Sequence, residues 1–162
     1  MGKKSSMPFA SGTQYAIQMY DYATQIGQLG HINHKLERLN EVTLLKNKGV
    51  KFSEKNLVFA TKDTKGEVVW LEKGNNKSGL KHIVSKHAKD FNEVYGVKKK
   101  DIPGFVKNLV SSGNLLNERL VIKDGKQGFE RIYEYNNKHF TVSGVGTNGY
   151  IVSVYPIRRK SK

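Results

Sequence analysis

No cysteine occurs anywhere in the 162 residues. Disulfide frameworks and thiolate zinc sites are therefore excluded, while the redox compartment stays undetermined. Long apolar runs are missing too: none approaches the roughly 20 residues of a membrane-spanning helix. The opening MGKKSSMPFASG lacks the apolar stretch of a signal peptide. Acidic residues are scarce, 14 against 28 lysines and arginines, for a formal net charge of +14. Charge this one-sided raises the energy of the compact state by self-repulsion. A polyanionic partner such as nucleic acid rationalises it best, and plain solubility is the bland alternative. Hydrophobic residues reach only 37%, but aromatics at 10% argue against general disorder and for a modest, aromatic-rich core.

What is present reads as two regions. Residues 13–47 carry helical spacing at Tyr15, Met19, Tyr22 and Ile26, then at Leu36, Leu39 and Leu44 or Leu45, interrupted by GQLGH at 27–31. KNKG ending at Gly49 is a helix stop. NLVFAT (56–61) and EVVWLE (67–72) are strand-like runs joined by a turn, KDTKG. Ser78 is placed to cap a helix over about 79–95. Pro103 suits the first turn of a second helix that Gly113 ends. RLVIKD, FERIYEYN, KHFTVSG and GYIVSVYP then read as a β-meander with turns at DGKQG, NN and GVGTNG. The expectation is an α+β fold: N-terminal helices over 1–50, then a helix packed on a twisted antiparallel sheet over 51–162.

Two of the five histidines fall in GLKHIVSKHAKDF, residues 79–91. At helical spacing Leu80, Ile83, Val84, His87 and Phe91 share a face. Five residues turn about 500°, so His82 lies about 140° from His87. The rings meet only if the helix starts late and His82 falls in its first, irregular turn. Helix-borne zinc ligands are spaced four apart, and HINH at 31–34 offers only a loose second pair, so no metal is assigned. The bland reading is a core-facing His87 with one hydrogen bond and a solvated His82. The chemical reading is acid–base cleavage of RNA, in which histidine suits both proton transfers.

The last strands supply candidate partners. A period of two puts Ser153 and Tyr155 on one face, a hydroxyl pair suited to a phosphate or a base, or else the wet side of an edge strand. Phe129, Arg131, Tyr133 and Tyr135 share a face, either as an RNA surface or as an arginine lying over tyrosines. Whether His139 and Thr141 join Arg131 depends on the Asn136-Asn137 hairpin: a two-residue loop separates Arg131 from His139, and a three-residue loop unites them. Lys73, Lys77, Lys81, Lys86, Lys89 and Lys98 to Lys100 form a basic rim, with Lys81 and Lys86 nearest the histidines.

VVWLEKGNNKSGLKHIVSKHAKDF, RIYEYNNKHFTVSG and GYIVSVYP together resemble the Barnase–EndoU–colicin–RelE superfamily of metal-independent ribonucleases, in its phage-associated and polymorphic-toxin branches. The resemblance spans roughly residues 66–158. It implies an endoribonuclease toxin without cofactor or metal, acting on RNA, tRNA among the targets. It implies a secreted or delivered effector that works in the cytoplasm of a target cell and is neutralised by an acidic immunity protein, with residues before 51 as a pre-toxin segment. Carried onto this chain, it makes His87 the principal histidine, with His82 as its partner or as an RNA contact. Ser153 and Tyr155 fall on the family's Thr-x-Tyr positions, and Arg131 falls where a basic residue stabilises the phosphate. Lys81, Lys86, Tyr133, His139 and Thr141 are then RNA contacts. No counterpart of the lysine used by some members is found. A non-catalytic, basic nucleic-acid-binding protein is the alternative, and it explains charge and tyrosines equally well.

Overall fold

A computed structural model describes residues 35–157. The helix expected around Tyr15 to Ile26, the HINH stretch and the basic tail from Arg158 lie outside those residues. Contacts divide the chain into two compact units, Met1–Asn40 and Glu41–Lys162. Of the first, only residues 35–40 are described, and they are helical. The boundary falls before the one expected at residue 50. The reason is that Val42 and Leu45, on the helix over 35–48 (α1), are buried with Leu57, Ala60 and Trp70 of the second unit.

The second unit contains strands β1 (Leu57–Lys62) and β2 (Val68–Glu72), helices α2 (Leu80–Tyr95) and α3 (Ile102–Ser112), and strands β3 (Asn114–Lys123), β4 (Lys126–Tyr135), β5 (Lys138–Gly146) and β6 (Ser153–Pro156). It is an α+β arrangement. β1 and β2 form an antiparallel hairpin, and β3 to β6 form an antiparallel sheet in sequential order. Asp63 makes the β1–β2 turn: its Oδ1 accepts from the Lys65 and Glu67 amides at 2.8 and 2.9 Å. Trp70 joins the two sheets by a parallel bridge to Tyr150, with Trp70 N–H on the Gly149 carbonyl and Ile151 N–H on the Trp70 carbonyl, each 2.9 Å.

Sequential pairing decides what shares a face. Asn136 and Asn137 both have positive φ, 52° and 63°, the backbone of a two-residue hairpin turn whose twist matches the strands. Tyr135 therefore pairs with Lys138, Arg131 with Val142, and Ile132 with Thr141. Across β6, Val142 pairs with Val154 and Thr141 with Tyr155. One face carries Arg131, Tyr133, Phe140, Val142 and Val154; the other carries Ile132, His139, Thr141, Ser153 and Tyr155.

The first face is the core. Amphipathic α3 buries Ile102, Val106, Leu109 and Val110 in one cluster with Tyr133, Phe140, Val142, Val154 and, from α2, Ile83 and Phe91. Each such fully buried side chain contributes about 1.5–3 kcal/mol. Phe140 centres an aromatic group, with Tyr95 at 4.7 Å and Phe105 at 5.4 Å between ring centroids. α2 packs beside β6, anchored at its start by the Gly79 amide donating to the Val152 carbonyl at 2.9 Å. Among the described residues no helix is long and apolar enough to cross a membrane.

Candidate functional site: a histidine pair beside the terminal strand

α2 begins at Leu80 with Gly79 as its N-cap and no side-chain cap. Ser78 does not cap it as expected; its hydroxyl meets the Tyr150 hydroxyl at 3.1 Å instead. His82 falls in the first turn of this helix. There its Nδ1 lies 2.8 Å from the Asn76 carbonyl, which holds the ring. Of the two outcomes left open by helical spacing, the rings come together: the centroids are 6.0 Å apart and nearly perpendicular.

His87 continues the apolar stripe but is half-buried, not sealed. Its ring stacks on Tyr155, 4.8 Å between centroids and 27° between planes. Its Nδ1 lies 3.9 Å from Asp90 Oδ2, one turn on. Burial is the main influence pulling the His87 pKa below the ordinary histidine value, and the neighbouring charge of His82 adds to it, while Asp90 opposes both. The result is an imidazole that is neutral near pH 7, in the form that accepts a proton.

The other expected site residues divide between the two faces. Thr141 is the direct cross-strand neighbour of Tyr155, and His139 lies on the same face, with Nε2 3.9 Å from Glu134. Thr141 is itself buried, 4% exposed. Ser153 is one pleat from Tyr155 but only 3% exposed, and its hydroxyl is buried without a hydrogen-bond partner. Lys81 and Lys86 are exposed on α2.

Arg131 and Tyr133 are corrected. The two-residue turn at Asn136-Asn137 puts them on the core face, away from Tyr155. Arg131 is 4% exposed and spends its guanidinium internally: Nη1 on Asp63 Oδ2 at 2.6 Å, Nε on Glu118 Oε2 at 2.6 Å, Nη1 on the Tyr133 hydroxyl at 3.4 Å. Burial works against its charge, but Tyr133, Asp63 and Glu118 outweigh that and leave its pKa raised. Tyr133 is fully buried and cannot stack a base. A shallow, solvent-open cleft lined by Lys48, Lys65, Glu67, Glu118 and Arg131 among others lies on this side of the sheet. It contains no histidine, and its arginine is saturated by carboxylates.

Two features escaped the sequence reading. Asp90 stands three residues after His87, a spacing that places both on one helix face and could have been read. The Asn76 carbonyl has no sequence signal, because any residue supplies one. Among the described residues no three histidine, aspartate or glutamate side chains gather as metal ligands. No family model matches the chain, and no curated protein matches it.

Proposed function

We propose that the chain is an endoribonuclease that cleaves RNA by attack of a 2′-hydroxyl on the adjacent phosphodiester, with no metal in the chemical step. The observation that carries this reading is the pair of imidazoles, 6.0 Å apart, braced on Tyr155 at one side and on a backbone carbonyl at the other.

His87, neutral near pH 7, takes the proton of the 2′-hydroxyl. The freed oxygen bonds to phosphorus, the bond from phosphorus to the 5′-oxygen breaks, and His82 gives that oxygen its proton. The products are a 2′,3′-cyclic phosphate and a 5′-hydroxyl. Lys81 and Lys86 attract the phosphate backbone, and Tyr155 holds the His87 ring plane. Arg131 takes no part. The toxin setting, with a delivered effector and an acidic immunity protein, belongs to the same proposal and is supported by the sequence resemblance.

The test is incubation of total RNA in EDTA with wild type and His87→Ala, followed by end-group analysis. Wild type yields cyclic phosphate ends, and the variant loses about 10²–10⁴-fold in rate while keeping its far-UV spectrum. Salt-sensitive RNA binding with the RNA intact identifies a binding protein instead. Cleavage that EDTA silences identifies a metal-dependent nuclease.

A further inference from the structure

The segment Lys73–Gly79, between β2 and α2, is closed by more internal bonds than its role as a connection requires. Asn75 Oδ1 accepts from the amides of Lys77 (2.8 Å) and Ser78 (3.2 Å), and the Asn75 amide donates back to the Ser78 carbonyl (2.9 Å). The Lys81 amide reaches across to the Lys73 carbonyl (2.9 Å). Gly74 and Gly79 sit at φ 66° and 87°, against each other. A Cβ at Gly79 would lie 2.8 Å from the Glu72 carbonyl oxygen and from Gly74 Cα, and one at Gly74 would overlap the Ser78 carbonyl. No residue with a side chain closes this loop without moving it. The Ser78 hydroxyl ties it to Tyr150, whose ring packs on Trp70 at 5.0 Å.

Besides the Lys73 carbonyl on the Lys81 amide, such a loop presents to α2 the Asn76 carbonyl, 2.8 Å from His82 Nδ1. A carbonyl oxygen only accepts, so Nδ1 carries the hydrogen in this contact. In neutral imidazole one nitrogen donates and the other accepts, and the bond made by one sets the state of the other. We infer that the Lys73–Gly79 loop is a tautomer lock. It holds His82 as Nδ1–H and leaves Nε2 as the only atom of that ring that exchanges a proton, with Asn75 the positioning residue that keeps the carbonyl in place.

The catalytic meaning of the lock rests on the cleavage reading, because only there does His82 transfer a proton. As the acid, His82 carries hydrogens on both nitrogens; the Nδ1–H bond to the Asn76 carbonyl then aims Nε2–H at the leaving oxygen, and a ring released from that carbonyl aims it wrongly in part of the population. Asn75 touches neither histidine. It acts through the two amides it accepts from and through the carbonyl that lies between them and His82. Aspartate offers the same acceptor geometry, and alanine offers none.

The experiment is long-range proton–nitrogen correlation NMR on the uniformly ¹⁵N-labelled full chain at about pH 8, where histidine is neutral. The His82 signals are assigned by their disappearance in His82→Gln. Wild type is expected to show protonated Nδ1 and bare Nε2. Asn75→Ala is expected to show a mixture of tautomers, with kcat on RNA lowered about tenfold and KM unchanged, and Asn75→Asp restores both. Wild-type His82 with its hydrogen on Nε2, or a tautomer unchanged in Asn75→Ala, overturns the lock. Mixed tautomers with undiminished kcat overturn the positioning role of Asn75. A locked ring in a protein that leaves RNA intact supports the lock and overturns the cleavage reading alone.

Discussion

Arg131→Ala separates a structural arginine from a catalytic one. The substitution removes a guanidinium that is 4% exposed and sits 2.6 Å from both Asp63 and Glu118. Asp63 has no exposed side-chain area, so its carboxylate is left in the interior without its cation. Stranding one member of a buried ion pair costs about 3–5 kcal/mol. Glu118 fares better, because it is partly exposed and keeps Lys65 at 3.2 Å. Asp63 cannot simply turn outward either: its other oxygen holds the β1–β2 turn through two backbone amides. The loss is a large part of the 5–15 kcal/mol typical of a domain and corresponds to about 10–20 °C in melting temperature. The assay is urea and thermal unfolding by circular dichroism, paired with RNA cleavage well below the midpoint. Arg131 lies on the sheet face opposite Tyr155, so the folded fraction is expected to keep kcat within about threefold, well short of the loss that follows removal of an acid or base. Unchanged stability would refute the ion-pair argument. A hundredfold loss of kcat in demonstrably folded protein would return Arg131 to the phosphate.

Three further outcomes follow from the structure. In the proposed cleavage His87 accepts a proton as the neutral ring, and its pKa is lowered, so the acid limb of kcat/KM is expected to have its midpoint below about pH 6.5. The unfolded chain takes up that proton more readily than the folded one. The stability contribution of His87 is therefore fully present above about pH 6.5 and is lost as pH falls through the folded value, a slope that His87→Gln flattens in urea titrations. An acid limb above pH 6.5 would contradict the burial argument. Ser153→Ala removes a buried hydroxyl that has no partner, so it is expected to raise stability by about 1 kcal/mol while leaving cleavage intact. A fall in activity beyond tenfold would show that the hydroxyl does reach the substrate.

Much of this molecule was legible before any coordinates. The hairpin around Asp63, the start of α3 near Pro103 and the order of the meander are local, and turn chemistry and apolar spacing act within a few residues. His87 belonged to the same class: its stripe and its neighbours in sequence placed it where the sheet would meet it. The resemblance to ribonucleases pointed to α2 and to Arg131 alike, and register puts Arg131 on the sheet face opposite Tyr155.

Three decisions belonged to the tertiary structure. One was the length of the Asn136-Asn137 turn: two left-handed residues or three made no difference to composition, yet a single step in register exchanges every side chain between faces, and so sent Arg131 to the core and His139 toward Tyr155. Another was the docking of a glycine-closed loop against Val152 and Tyr150, which puts the Asn76 carbonyl on His82, whose ring centroid lies 6.0 Å from that of His87. The last was the burial of Ser153, an alternating polar position that reads as exposed until a helix lies beside it. Residue types and spacing set which side chains an element offers. Which of them meet is set by register and docking, whose energies come from contacts between residues far apart in the chain.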